Sequence, residues 1–319
     1  MRPSELEVTH HFVQLPHLRM HYVEAGQGPL VILLHGFPEN WWSWRYQLQP
    51  LADAGFRVIA PELRGNGDTD KQVPYDLDTN VADVCNLIES LGAERRVVII
   101  GHDWGGAVAW HLASTRPEFC ERLVVLNCPH PVLMQRALLG KRLSLKQLRR
   151  SWYFFFFLLP VVPEWVLTRK DAAATRKTIA SASIDRSHFT EDELRPFRDG
   201  IQRPGAASAM IGWYRAAVVD GFRRVLSPKK YQAITQKTLL VWGLEDPALD
   251  FDVLVPGTEE FVPNLQFAQI PGAGHFVHAE RPEVVNPALL EFLRRPNVSA
   301  APSSWGQTSS PSASAPRAS

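Results

Sequence analysis

The chain has 319 residues, of which 45% are hydrophobic, and a formal net charge of +1 at pH 7. A chain of this length can bury a large core, either as one α/β domain with an insertion or as two domains. The nearly balanced charge provides no field that would attract nucleic acid, so no nucleic-acid partner is expected.

Apolar runs alternate with helical periods through residues 8–130. Alternating apolar and polar residues at 8–25 predict an antiparallel strand pair with a turn near Pro16-His17. Buried-strand runs occupy 29–34, 56–61, 97–100 and 123–127, with helical segments at 41–54, at 76–91 and after Gly106. This alternation predicts a mostly parallel sheet with helices on both faces, whose active site lies at the carboxyl ends of the strands.

The alternation is interrupted over residues 131–235, where the pattern is helical and Thr190-Glu191-Asp192-Glu193 has the signature of a helix N-terminus. Strand runs return at 238–243 and 265–270, followed by a helix at about 282–293. We therefore predict an α/β core formed by 1–130 and 236–295, with a helical lid inserted at 131–235. The Ser-, Ala- and Pro-rich segment 296–319 is predicted to be a disordered tail.

The stretch Gly101-His102-Asp103-Trp104-Gly105-Gly106 connects a strand run to a helical segment. Its form is that of a nucleophile elbow, the sharp turn that presents a nucleophile at a helix N-terminus, with Asp where an esterase has Ser. The helix field at such a turn favours a negative charge. An exposed Asp in a Gly-rich turn would have the same local pattern, so this stretch by itself leaves both interpretations open.

Two further residues strengthen the catalytic interpretation. Asp246 follows the strand run 238–243, and His275 lies in a Gly-rich loop after the run 265–270. Asp103, Asp246 and His275 thus all stand at strand ends, in the chain order nucleophile, acid, histidine. The sequence therefore predicts a catalytic triad at one rim of the sheet.

The sequence resembles the epoxide hydrolases of the α/β-hydrolase fold over about residues 8–295. The motifs that carry the resemblance are His35-Gly36-Phe37-Pro38-Glu39, Gly101-His102-Asp103-Trp104-Gly105-Gly106, Trp242-Gly243-Leu244-Glu245-Asp246-Pro247 and Gly272-Ala273-Gly274-His275-Phe276. The resemblance implies the α/β-hydrolase fold and conversion of an apolar epoxide and water to a vicinal diol. It implies no metal and no organic cofactor.

The resemblance also implies roles for lid tyrosines, which in this family face the nucleophile. Tyr153, in an aromatic stretch that ends at Pro160, and Tyr214, between Trp213 and Arg215, stand in the matching frames. Asp103 would attack the epoxide carbon, the two phenols would protonate the leaving oxygen, and His275 with Asp246 would activate the water that hydrolyses the ester. His102 is expected to support the turn.

Other residues are assigned to the oxyanion hole and the substrate pocket. The backbone amides of Phe37 and Trp104 are expected to bind the oxyanion of ester hydrolysis. His35 is expected to anchor the loop that carries Phe37. Side chains assigned to substrate binding are His35, Pro38, Trp104, Trp152, Phe156, Trp213 and Phe276. The aromatic residues of the lid predict an apolar pocket.

Two alternatives remain open at this level. A haloalkane or haloacid dehalogenase would share the fold, Asp103 and His275, but it would not need a pair of phenols. A non-catalytic ligand-binding homologue of the same fold would not need an intact triad. A serine esterase is disfavoured because the elbow lacks Ser.

The cellular location is also predicted from the sequence. The three cysteines show no metal-binding spacing, and the N-terminus lacks the apolar core of a signal peptide, which together predict a cytoplasmic protein. The apolar stretch from Trp152 to Val162 is too short to span a bilayer. Superficial contact of Phe154–Phe157 with a membrane remains an alternative to a role in the lid.

Overall fold

The computed structural model describes residues 6–92, 96–140, 143–226 and 231–294. The predicted tail, residues 296–319, lies outside the described residues. Eight strands form one sheet in the order β1-β2-β4-β3-β5-β6-β7-β8. Their bounds are β1 Thr9–Gln14, β2 Arg19–Ala25, β3 Leu30–Leu34, β4 Arg57–Pro61, β5 Val97–His102, β6 Cys120–Leu126, β7 Lys237–Gly243 and β8 Leu265–Ile270.

The strand pairing confirms the sequence prediction. The β1–β2 and β2–β4 pairs are antiparallel, whereas the pairs from β4 to β8 are parallel. The turn between β1 and β2 contains Pro16 and His17, as predicted. The carboxyl ends of β3, β5, β6, β7 and β8 therefore meet at one edge of the sheet.

Helices connect the strands and cover both faces of the sheet. Their bounds are α1 Arg45–Asp53, α2 Leu77–Ser90, α3 Asp103–Thr115, α4 Pro131–Leu139, α5 Leu145–Arg150, α6 Trp152–Phe157, α7 Val162–Ser181, α8 Glu191–Gln202, α9 Ala206–Leu226, α10 Phe251–Leu254, α11 Val277–Glu280 and α12 Pro282–Arg294. Within α7, the backbone from Arg169 to Ala172 is not helical, so this element consists of two helices across a kink.

Alternation of side chains along the central strands creates two cores. In β3, Leu30, Ile32 and Leu34 face the core that holds the apolar residues of α2 and α3. Val31 and Leu33 face the opposite core, which is filled from α1 and α12. Central strands such as β3 and β5 are thus buried on both faces, which is why their sequences are continuously apolar rather than alternating.

The helical segment between β6 and β7 contains α4 to α9 and no strand among its described residues. Its N-terminal signature at Thr190 is confirmed, since the Thr190 side chain caps α8 by accepting a hydrogen bond from the Glu193 amide. A third apolar cluster lies within this insertion, and Phe37 and Trp104 of the α/β core pack against it. The insertion therefore covers the edge of the sheet at which the strands end.

Among the described residues, none of the helices combines the length and apolar character needed to cross a bilayer.

Candidate active site

Asp103 lies at the tip of a sharp turn between β5 and α3. Its backbone φ of 49° is in the left-handed region that non-glycine residues rarely adopt. A Cβ on Gly105 would lie 2.0 Å from the carbonyl oxygen of Leu34, so this position requires glycine. The turn places the Asp103 carboxylate at the N-terminus of α3, where the helix field stabilises its negative charge.

The loop after β3 brings a backbone donor to this carboxylate. The amide of Phe37 donates a hydrogen bond of 2.8 Å to Asp103 Oδ1. A Cβ on Gly36 would lie 2.4 Å from the Asp103 Cβ, so only glycine allows the loop to approach this closely. The other predicted donor, the amide of Trp104, follows Asp103 directly in the first turn of α3. The Phe37–Pro38 peptide bond in this loop is cis.

His35 is placed to hold this loop. Its side chain is 1% exposed, Nδ1 lies 2.9 Å from the Gly36 carbonyl oxygen, and Nε2 accepts a hydrogen bond of 3.1 Å from the Leu63 amide. Because a backbone partner occupies each ring nitrogen, His35 has no polar atom left for a ligand, and its contacts are those expected of a loop anchor.

The loops after β7 and β8 bring the acid and the histidine together. His275 Nδ1 lies 2.7 Å from Asp246 Oδ2, and His275 Nε2 lies 3.6 Å from Asp103 Oδ2. The other oxygen of Asp246 accepts hydrogen bonds from the amides of Ala248 and Leu249. The order Asp103, His275, Asp246 in space is that of a nucleophile, a base and the acid that orients the base.

Asn127 completes the support of the acid, a role that the sequence did not reveal. It is fully buried at the end of β6, and its Nδ2 donates a hydrogen bond of 2.8 Å to Asp246 Oδ2. Its Oδ1 accepts from the Gly243 amide at 2.9 Å, which ties β6 to the end of β7. The one feature of the sequence that could have pointed to Asn127 is its position at the end of a predicted strand, at the same edge of the sheet as Asp103.

The charges of the site shift the pKa values of its members. Burial by itself would lower the pKa of His275, but the carboxylates of Asp246 and Asp103 outweigh burial and raise this pKa well above its ordinary value. Burial would raise the pKa of Asp246, yet the charge of His275 and hydrogen bonds from His275 and Asn127 hold it below its ordinary value. Each member of the pair therefore favours the charged form of the other.

A second buried network links the loop after β3 to the loop of His275. Glu39 Oε2 accepts hydrogen bonds of 2.8 Å from the Gly36 amide and from His102 Nδ1. His102 Nε2 lies 2.9 Å from the backbone carbonyl oxygen of His275. His102 thus bridges the Glu39 carboxylate and the backbone of the His275 loop.

The other oxygen of Glu39 accepts a hydrogen bond from Ser43 Oγ, which also contacts His278 Nε2 at 2.9 Å. Burial would raise the pKa of Glu39, but the charge and hydrogen bond of His102 lower it far below its ordinary value. Glu39, His102 and His278 are the grouping of described residues whose donor atoms are close enough to bind a metal ion. Hydrogen bonds within the network already occupy the donor atoms of Glu39 and His102, so we interpret the grouping as a support for the loops.

A cavity of about 200 Å³ lies above Asp103, between the sheet edge and the helical insertion. Asp103, Trp104, Tyr153, Trp213 and Tyr214 all line it, so the structure brings these predicted residues together. The ring centroids of the two tyrosines are 5.8 Å apart. Burial raises the pKa values of both phenols, with the Asp103 charge adding to the effect, so each phenol keeps its proton.

Several residues predicted to bind substrate lie outside this cavity. Trp152 has 62% of its side chain exposed on the outer side of α6, and Phe156 packs beside it with ring centroids 5.9 Å apart. Pro38 is buried in the loop behind Phe37. Phe276 is buried against His275 and His102, so it supports the histidine loop from behind.

Helix α4 supplies much of the cavity wall that the sequence did not predict. Met134, Leu138 and Leu139 line the cavity, together with Tyr75 from the loop before α2. These residues have the ordinary spacing of an amphipathic helix, so no local signal distinguishes them from core residues.

Comparison with known proteins places this site in a family. A model described as the alpha/beta hydrolase family matches residues 31–288. The chain belongs to the alpha/beta hydrolase family. It is 39% identical to the AB hydrolase superfamily protein YfhM of Bacillus subtilis, over 89% of this chain and 97% of that protein.

Several relatives of this chain are named epoxide hydrolases. The chain is 36% identical to epoxide hydrolase 4 of Mus musculus, over 90% of this chain and 80% of that protein. The crystal structure of Bacillus megaterium epoxide hydrolase in complex with an inhibitor is similar with a TM-score of 0.81 and 27% identity, over 89% of this chain and all of that one. The resemblance and the fold predicted from the sequence are therefore confirmed, and the chain is a hydrolase of this family.

Proposed function

We propose that this chain hydrolyses apolar epoxides to vicinal diols through a covalent ester on Asp103. The observation that carries the proposal is the set of groups that surround the Asp103 carboxylate. The amide of Phe37 binds one of its oxygens at 2.8 Å, His275 lies 3.6 Å from the other, and the phenols of Tyr153 and Tyr214 share the cavity with it.

In the first step, an Asp103 oxygen attacks one epoxide carbon and the C–O bond of the ring breaks. A carboxylate suits attack at a saturated carbon because it is ionised at neutral pH and needs no base. The electron pair of the broken bond goes to the epoxide oxygen, which takes a proton from Tyr153 or Tyr214. The product of this step is a hydroxyalkyl ester of Asp103.

In the second step, neutral His275 removes a proton from water, and the hydroxide adds to the carbonyl carbon of the ester. The amides of Phe37 and Trp104 bind the resulting oxyanion, and Asp246 stabilises the imidazolium that forms. Collapse of the tetrahedral centre breaks the ester C–O bond, and the departing diol oxygen takes a proton from the His275 imidazolium. Asp103 is left as a carboxylic acid with one oxygen that came from water, and its proton returns to the phenolate of Tyr153 or Tyr214.

The cavity favours an apolar epoxide over the substrate of a dehalogenase. Its wall is built mainly from aromatic and aliphatic side chains, which suit an apolar body. A halide leaves without a proton, whereas a ring-opened epoxide oxygen is strongly basic and needs a donor such as a phenol. Relatives that are named epoxide hydrolases also support an epoxide as the substrate.

The decisive experiment traps the ester. His275→Ala mixed with styrene oxide should gain the mass of one whole substrate on a peptide that contains Asp103, because alkylation proceeds and hydrolysis does not. In the wild-type enzyme, a single turnover in ¹⁸O-labelled water should yield unlabelled diol and labelled Asp103. A labelled first diol without any adduct in His275→Ala would show that Asp103 acts as a base on water instead.

A further inference from the structure

Helix α6 and the segment after it expose an apolar surface unlike the rest of the molecule. Seven large apolar side chains are exposed between residues 152 and 165: Trp152, Phe155, Leu158, Leu159, Val161, Val162 and Trp165. The exposed fractions of Phe155 and Trp165 are 60% and 55%. We call these seven residues the α6 face. Folded proteins rarely leave a contiguous apolar patch in water unless it has a partner.

The α6 face is held in place by the insertion, so its exposure is a built feature of the fold. Arg215 of α9 donates hydrogen bonds to the carbonyl oxygens of Phe157 and Leu159, at 3.0 and 2.7 Å. The same guanidinium pairs with Glu164 at 2.8 Å. Three contacts from Arg215 thus fix the backbone that carries the apolar side chains outward.

The chain segments that flank the α6 face carry an excess of basic residues. Between residues 143 and 171 there are five basic residues, Lys146, Arg149, Arg150, Arg169 and Lys170, and two acidic residues, Glu164 and Asp171, which pair with Arg215 and Arg198. Asp250 pairs with Lys146 and Arg150, which leaves Arg149, Arg169 and Lys170 in excess. The Arg169 guanidinium lies 4.0 Å from the centre of the Trp165 ring, at the edge of the apolar side chains.

We propose that the α6 face docks on the surface of an anionic lipid bilayer. Indole and phenyl rings with aliphatic neighbours suit the boundary between headgroups and acyl chains, and flanking Lys and Arg suit anionic headgroups. A second copy of this chain fits less well, because a two-fold contact through the same face would set these basic groups against each other. No segment crosses the bilayer in this arrangement; the aromatic rings enter its interface only.

The α6 face lies beside the cavity, so docking on a membrane would place the cavity near that membrane. Tyr153 and Phe154 line the cavity from the inner side of α6, while Phe155 points outward from the same helix. Apolar epoxides partition into membranes, so docking would bring the cavity to its substrate. This purpose rests on the proposed function, but the docking itself does not, and binding to vesicles without substrate tests it separately.

The test uses the full chain and sedimentation with vesicles. Wild-type protein should bind vesicles of phosphatidylcholine mixed with phosphatidylglycerol, and bind pure phosphatidylcholine vesicles much less. The double variant Phe155→Ser, Trp165→Ser should lose vesicle affinity on the order of 100-fold, because burial of each ring contributes roughly a factor of ten or more. A matched control, Phe12→Ser with Ile184→Ser, removes exposed apolar side chains elsewhere and should bind like wild type.

A second variant keeps the test valid if the apolar substitutions impair folding. Arg149→Glu with Lys170→Glu should abolish the preference for anionic vesicles while leaving the turnover of a small water-soluble epoxide unchanged. Absence of vesicle binding by wild type, equal binding to neutral vesicles, or full binding by the Phe155→Ser, Trp165→Ser variant would each overturn the proposal. A different result would assign the α6 face to a second copy of the chain: wild type associates with itself and does not bind vesicles, and the Phe155→Ser, Trp165→Ser variant no longer self-associates.

Discussion

The side-chain carboxylate of Asp246 accepts four hydrogen bonds. Its Oδ2 accepts from Asn127 and His275, and its Oδ1 accepts from two backbone amides. In Asp246→Asn, an NH₂ group would face the donors on Asn127 and His275. We therefore expect ester hydrolysis to slow by about 10³–10⁴-fold, as for loss of the acid in other triads, while the ester still forms. Accumulation of the ester in rapid-quench mass spectrometry checks this.

Glu245→Gln is the matched control, because Glu245 precedes Asp246 in the chain and its side chain accepts a hydrogen bond from the Ala273 amide, at 3.2 Å.

A pH profile of the hydrolysis rate adds a second measurement. Hydrolysis needs neutral His275, so its rate should rise as pH rises through the pKa of that histidine. Loss of the Asp246 charge removes the main cause that raises this pKa, so the rising limb should move to lower pH in Asp246→Asn. Near-normal turnover of Asp246→Asn would contradict the assignment.

Tyr153 and Tyr214 line the cavity with Asp103, and the Asp103 charge contributes to the raised pKa of both phenols. If they protonate the leaving oxygen, each single Phe variant should lose part of the alkylation rate. The double variant should lose about 10²–10⁴-fold, the usual contribution of a general acid. Stopped-flow measurement of alkylation under single-turnover conditions separates this step from hydrolysis.

Tyr75→Phe is the control for the two phenols. Tyr75 also lines the cavity, but its hydroxyl donates to the backbone oxygen of Lys71 at 2.9 Å. Its variant should alkylate at close to the wild-type rate. An unchanged alkylation rate in the Tyr153→Phe, Tyr214→Phe double variant would remove the proposed role.

At the scale of elements, Glu39 holds the loop after β3 against the turn between β5 and α3. Its buried carboxylate accepts hydrogen bonds from Gly36 and Ser43 and contacts His102 at 2.8 Å. Glu39→Gln breaks this buried pair and sets an amide NH₂ group against donors, so we expect a loss of about 3–5 kcal/mol in the free energy of unfolding. The alkylation and hydrolysis rates should both fall, because the Gly36–Phe37 loop and the His275 loop depend on the same network. Denaturant unfolding and single-turnover kinetics measure the two effects.

Ser43→Ala offers the comparison for Glu39. It removes one hydrogen bond from a neutral hydroxyl to the same carboxylate and should cost about 1.5–3 kcal/mol of unfolding free energy. Equal losses in the two variants would mean that the contact with His102 contributes nothing beyond the hydrogen bond from Ser43.

At the scale of the whole molecule, the cavity exists because the helical insertion rests on the rim of the sheet without filling it. Ala217 of α9 lines the cavity, whereas Val219, two residues later, is 49% exposed on the outer side of the same helix. Ala217→Trp should fill part of the space and lower kcat/KM for a bulky aryl epoxide far more than for a small aliphatic one. Val219→Trp should change neither value, and comparison of the two epoxides in both variants checks the cavity as the substrate site.

The sequence by itself determined the sheet, the turn at Asp103 and the positions of Asp103, Asp246 and His275 after strand ends. These features depend on local patterns: continuous apolar strands, glycines where a Cβ would collide, and polar residues directly after strand ends. The tyrosine pair came from the family resemblance, since nothing in the neighbourhood of Tyr153 or Tyr214 separates a catalytic phenol from a packing one.

Only the tertiary structure decided which side of α6 faces the cavity and which faces solvent. Its sequence, Trp152–Phe157, is apolar all round, so no periodicity distinguishes the inner Tyr153 from the outer Trp152. The roles of Asn127 and Glu39 were equally hidden, because each acts on a residue far away in the chain. Contacts of this kind are set by how strands and loops meet in space, and a linear pattern does not encode them.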